Sequence, residues 1–90
     1  MNLEQIPTQN ERLRVEAMED EILLYDPAGN RVFQLNPSAA LIWRLCTGER
    51  SAGEVIELLQ QAYPDSAGSI GSDVIAILEK WAAEGCIELK

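Results

Sequence analysis

The chain contains no histidine. That removes the side chain most often used as a general base near neutral pH and the commonest imidazole ligand for a metal. Cysteine is scarce as well. Cys46 and Cys86 lie far apart in the sequence without ligand-type neighbours, whereas a closed zinc site needs four ligands, usually in close pairs. They read as two small buried hydrophobes in a reducing compartment. Positive charge is thin: seven Lys and Arg against fifteen Asp and Glu give a net charge of −8. Nucleic-acid binding draws on Lys and Arg displacing counterions, so that class of partner is disfavoured, and anionic membranes with it. A basic peptide or protein surface would be attracted instead. No apolar run approaches the ~20 residues of a membrane span. Met1–Gln5 lacks the basic start and apolar stretch of a secretion signal, so the expected location is cytoplasmic.

Catalytic groupings are missing in the same way. Glu19, Asp20 and Glu21 are adjacent in an expected turn, which makes them solvated charge rather than an acid–base pair. Gly68 and Gly71 have neither the lysine nor the strand–loop–helix context of a phosphate cradle. Ser51, Ser66, Ser69 and Ser72 have no histidine and no lysine constellation to activate them. The expectation is a protein that is not an enzyme and needs no cofactor or metal.

What is present divides into two halves. Residues 1–11 are polar, carry Pro7 and show no period, and are expected to form a flexible arm ahead of a single domain over residues 12–90. From Arg12 the pattern alternates, placing Leu13, Val15 and Ala17 on one strand face. Met18–Glu21 suits a tight turn. Glu21–Tyr25 is a short apolar run, as in a strand covered on both faces. Asp26-Pro27-Ala28-Gly29-Asn30 is a strong turn, with Gly29 or Asn30 available for positive φ. Arg31–Leu35 gives a third strand and completes an antiparallel meander.

The second half takes the helical period. Asn36-Pro37 starts a helix, the first as a cap and the second where a missing donor costs nothing. It carries Ala40, Ile42, Trp43, Leu45 and Cys46, with Gly48 beyond its end. Ser51 and Glu54 form a capping box for a second helix, which Pro64 ends. Asp65–Ser72 reads as a polar loop with two glycines. A third helix from Gly71–Ser72 bears Val74, Ile75, Ile77, Leu78, Trp81 and Ala82, stops at Gly85, and leaves Cys86–Leu89 as a short tail strand. The fold class is α+β, with three strands, then three helices, then a strand.

Two features point to binding. Trp81 sits near one border of its apolar stripe, where an aromatic can line a groove; the alternative is a core anchor like Trp43. If Arg31–Leu35 is an edge strand, its free N–H and C=O groups can accept a guest strand. Equally, Arg31 or the N-terminal arm can protect that edge.

The stretch Leu35-Asn36-Pro37-Ser38-Ala39-Ala40-Leu41-Ile42-Trp43, then Leu45, Thr47-Gly48, Ser51 and Glu54-Val55-Ile56, resembles the PqqD family, named for pyrroloquinoline quinone (PQQ) biosynthesis protein D. So does the ending, Val74–Leu78, Trp81 and Gly85-Cys86-Ile87. The resemblance covers roughly residues 12 to 89. It implies a winged helix-turn-helix acting as a peptide chaperone, the recognition element of pathways that modify ribosomally made peptides. The leader of the precursor peptide would add as a strand beside Arg31, Val32, Phe33, Gln34 and Leu35 and pack on the Asp73, Ile77, Lys80 and Trp81 side of the third helix. A modifying enzyme, often a radical S-adenosylmethionine enzyme, is the implied second partner. Where the quinone-pathway proteins tend to have Tyr-Pro-Glu-Gly, this chain has Tyr25-Asp26-Pro27-Ala28-Gly29, which favours a broader relative acting on another peptide.

Two rival readings come from other classes. A DNA-binding winged helix is disfavoured because the third helix offers only Lys80 against Asp73, Glu79 and Glu84, whereas a reading helix presents Arg, Lys, Asn or Gln. A structural or dimerisation subunit, a homodimer exchanging its arm or sheet edge, is the other.

Overall fold

The computed structural model describes residues 1–90. Five strands and three α-helices follow in the order β1 (Pro7–Gln9), β2 (Arg14–Met18), β3 (Glu21–Asp26), β4 (Arg31–Leu35), α1 (Pro37–Leu45), α2 (Ala52–Ala62), α3 (Ala67–Glu84) and β5 (Ile87–Leu89), with a single 3₁₀ turn at Pro64–Ser66 before α3. The meander forms as the alternation requires, an antiparallel sheet in the order β2-β3-β4. Its first hairpin closes through Glu19, at φ 52°, between the paired residues Met18 and Glu21. The second closes through Asn30, at φ 50°. There the Asp26 carboxylate accepts from the amides of Ala28 and Gly29, which folds the corner locally.

Only one face of this sheet is covered. Ile22 and Leu24 are buried while Leu23 is half-buried and Tyr25 exposed, so the expectation of a strand covered on both faces is corrected. The helices all pack on one side, and three strands offer them a single face. Val15 and Ala17 share that inner face through their partners Leu24 and Ile22, yet both are exposed because β2 overhangs the helices. Leu13, just before β2, is buried.

The helix starts follow their sequence chemistry. Asn36 accepts from Ala39 N at 2.9 Å with Pro37 in the first turn. Ser51 and Glu54 complete both halves of the capping box. Gly85, at φ 80°, ends α3 in the left-handed conformation that favours glycine. The first helix ends at Cys46 rather than Gly48, which takes φ 85° in the turn that follows. The third helix begins four residues earlier than its periodicity indicates, at Ala67 instead of Gly71. Its extra turn is held by contacts the local pattern does not show. Ile70 packs on the core, and the Ser69 and Ser72 hydroxyls bond back to the carbonyls of Ser66 and Ser69. Tertiary packing thereby outweighs the roughly 1 kcal/mol helix penalty of each glycine.

The N-terminal segment is the larger correction. It is not a free arm. Its strand β1 pairs antiparallel with β5, and Pro7 is buried. The carbonyls of Leu3 and Gln5 accept from Gly53 and Ala52, two of the first-turn amides of α2 that have no partner within the helix. Pro7 O accepts from Gly48, Gln9 N donates to Cys46 O, and Lys90 N donates to Ile6 O. The side-chain amides of Gln5 and Gln9 add bonds to Leu89 O and Trp43 O, so a polar sequence without an apolar period suits such stapling.

Deleting residues 1–9 is expected to lower the unfolding free energy by roughly 5 kcal/mol or more, at about 1 kcal/mol net per lost hydrogen bond. Urea unfolding measures it. A change below about 1 kcal/mol would restore the free arm.

Candidate functional site

The site is built from β4 and α3. Strand β4 ends the sheet order β2-β3-β4, so one of its sides has no strand partner. At its start, Arg31 reaches across to α3, where Nη2 donates to Glu84 O at 2.8 Å and to Asp26 Oδ2 at 3.1 Å. The guanidinium also lies over the Phe33 ring, 5.1 Å from its centroid. At the other end the chain turns directly into α1, whose Pro37 and Ser38 face Ile70 and Asp73 of α3 across an open cavity of about 370 Å³. These two points set β4 antiparallel to α3. By helix rise, Asp73 to Glu84 spans ~16 Å, and by strand rise, Arg31 to Pro37 spans ~20 Å. The start of β4 is thus tied to the end of α3, and the α1 residues that follow β4 share a cavity with the earlier part of α3.

The residues expected to form the groove are distributed unequally. Arg31 and Phe33 share the inner face of β4 with Leu35, since they pair with Asp26, Leu24 and Ile22. Leu35 itself is core. Val32 and Gln34 point to the outer face; Val32 is 64% exposed and Gln34 bonds Glu21 Oε2 at 3.4 Å. On α3, Asp73 and Lys80 are exposed and Ile77 is half-buried. Trp81 departs from the expectation. It is 4% exposed and meets Trp43 edge-on, ring centroids 5.5 Å apart. The buried line of α3 is Val74, Leu78 and Trp81, so Trp81 lies on the axis of the stripe rather than at its border. It is a core anchor behind the groove, not a lining residue.

The cavity at the far end of the groove escaped the sequence reading. Its apolar floor comes from Leu41 and Ile42 of α1, Leu59 of α2, and Ile70 and Val74 of α3. Three separate helices must converge to form it, and of its lining only Asp73 was among the residues the resemblance implied for the groove.

Neither cysteine is arranged for chemistry. Both are free and buried. Burial pushes the Cys46 thiol up to about 12, and its Sγ donates to Ile42 O at 3.3 Å. Burial, then the Glu84 carboxylate, also raises Cys86. The Arg31 guanidinium, followed by the Gly29 amide, holds the Asp26 carboxyl below its ordinary value. No group of three or more Cys, Asp or Glu side chains gathers as a metal site, and no helix is long and apolar enough to cross a membrane.

Three helices packed with a small three-stranded antiparallel sheet make this an α+β domain of the winged-helix class. Residues 21–87 match the family model described as coenzyme PQQ synthesis protein D (PqqD). The chain belongs to the PqqD family. It is 33% identical over 93 aligned positions to a PqqA binding protein of Stutzerimonas stutzeri strain A1501, covering all of this chain and 97% of the relative. It is 34% identical over 68 positions to a PqqA binding protein of Klebsiella pneumoniae, covering 76% of this chain and 71% of that one. Among solved structures, TbiB1 in complex with the TbiA(beta) leader peptide superposes with a TM-score of 0.80 at 17% identity, over 90% of this chain and 94% of that one. This last likeness establishes a shared fold.

The thiols give the prediction for this region. Because the folded Cys46 pKa lies above its unfolded value of 9.0, the unfolded chain ionises first as pH rises. Stability should be fully present below pH ~9 and fall between there and pH ~12. Alkylation of native protein by iodoacetamide at pH 8 should leave Cys46 unlabelled until urea unfolds the chain; prompt labelling in the native state contradicts this.

Proposed function

We propose that this protein is a non-catalytic recognition module that binds the leader of a ribosomally made precursor peptide and presents it to a modifying enzyme, with a radical S-adenosylmethionine enzyme as the expected partner. The observation that carries the reading is the unpaired edge of β4 standing beside α3. Backbone groups along an open edge give affinity to any extended chain, and the side chains flanking the edge select among them. Val32 and Gln34 would meet a guest on the outer face, and Arg31, Phe33 and Ile77 would meet it on the inner one. Family membership and relatives named for binding PqqA support a peptide ligand of that kind and a role in PQQ-type biosynthesis. The fold shared with a leader-peptide complex is consistent with it. The net charge of −8 favours a basic guest.

Titrating ¹⁵N-labelled protein with PqqA of Stutzerimonas stutzeri, and with any short precursor encoded beside this gene, tests the reading. Amides of Arg31–Leu35 and of the Asp73–Lys80 side of α3 should shift. Ile77→Glu should weaken the complex at least tenfold, the cost of setting a charge against an apolar contact, with circular dichroism unchanged. Absence of β4 shifts at millimolar concentrations of every peptide would refute the proposal.

A further inference from the structure

We infer that the cavity between α1 and α3 is an anchor subsite for the bound peptide, taking one apolar side chain that precedes the paired strand and has a basic residue beside it. This rests on the reading that a peptide pairs with β4.

Direction comes first. The sheet β2-β3-β4 is antiparallel throughout, and an antiparallel guest continues that ladder with the slightly more stable pairing. In that orientation the guest residues facing Leu35 come before those facing Arg31. The cavity lies just past Leu35, because Pro37 and Ser38 form one of its walls. A guest chain therefore passes the cavity before it enters the strand.

Size and lining decide what is held there. At about 370 Å³ the cavity is at the small end of the roughly 300–1,000 Å³ range of ligand pockets. It suits one large side chain better than a cofactor. Its floor is aliphatic, and Tyr63, 52% exposed at the mouth, offers an amphipathic ring of the kind that dominates binding energy at interfaces. The polar groups are confined to the rim: Ser38, Ser66, Ser69 and Asp73. Asp73 is exposed and takes part in neither of the two ion pairs in the molecule. An unpaired carboxylate at the lip of an apolar hole, on an acidic protein, matches a basic residue next to an apolar one. The far end of β4 offers no equivalent, since Arg31 there closes onto the Glu84 carbonyl.

The test uses PqqA of Stutzerimonas stutzeri and two variants on the exposed rim, Ser69→Phe and Asp73→Asn, with urea unfolding to show that each stays folded. Ser69→Phe fills the cavity from its lip. It should raise Kd roughly ten- to a hundredfold, the factor for burying one large apolar side chain, while β4 amides still shift at saturation. Asp73→Asn should weaken binding roughly threefold at low salt and not at 1 M salt, as a screened surface charge does. A nitroxide at the peptide N-terminus should broaden the amides of Ser38 and Ile70, and one at the C-terminus those of Gly29 and Glu84. Unchanged affinity in Ser69→Phe with β4 shifts intact overturns the anchor subsite and leaves peptide binding standing. Reversed broadening overturns the direction, and unchanged affinity in Asp73→Asn at low salt overturns the basic flank. If β4 amides of the unaltered protein do not shift, both readings fall.

Discussion

The edge-on contact between Trp43 and Trp81 sets the distance on which the rest depends. Trp43 belongs to α1, which continues directly from β4, and Trp81 belongs to α3. Two buried indoles meeting at 5.5 Å fix the spacing of those helices more firmly than small aliphatics would. Strand β4 is therefore held beside α3 at a spacing the core determines. Arg31 then pins the near end of the gap through the Glu84 carbonyl, and the far end opens into the cavity. A charge, an aromatic pair and a helix start cooperate to keep one strand edge next to a helix without closing on it.

How far the sequence showed this depends on whether a feature is local. The turns at Glu19 and Asp26–Asn30, the Asn36 cap, the Ser51–Glu54 box and the Gly85 stop are short-range chemistry, and each stands where its residues indicate. The resemblance carried by Leu35–Trp43 supplied the architecture. What the pattern missed is non-local. Residues 3–9 act through backbone groups, one buried proline and the side-chain amides of Gln5 and Gln9, so no apolar period reports them. The first turn of α3 is helical because Ile70 has a core to pack on, which glycines at 68 and 71 obscure. Of the proposed groove, the pattern offered the strand as a candidate edge, and the resemblance supplied Asp73. The true position of Trp81 was not legible, because the stripe's axis is fixed only when the partner Trp43 is in place.

The N-terminal segment also clarifies where binding can occur. The first-turn amides of α2 are met by Leu3 and Gln5, the start of α1 by Asn36, and the end of α3 by Gly85. The tail strand is paired with β1. Three-residue β5 keeps one open side, and the longer unpartnered edges are the two borders of the three-stranded sheet.

Those borders are not equivalent, and the difference argues for β4 as the working edge. Strand β2 bears Arg14 and Glu16 on its outer face, and charge along an edge is a usual defence against unwanted pairing. No helix stands over its inner residues Val15 and Ala17, so a guest there would find one wall at most. Strand β4 has a single charge, Arg31, already committed to Asp26, Glu84 and Phe33, and it presents Val32 at 64% exposure. Such an edge would invite sheet-to-sheet aggregation if it stood alone. Helix α3 changes what can reach it. On the proposed reading, a second sheet would bring its own layer of side chains against the helix, whereas a single extended chain would gain contacts from both strand and helix. The helix would then act as a steric filter, turning a general liability of sheet edges into selectivity for one unfolded strand.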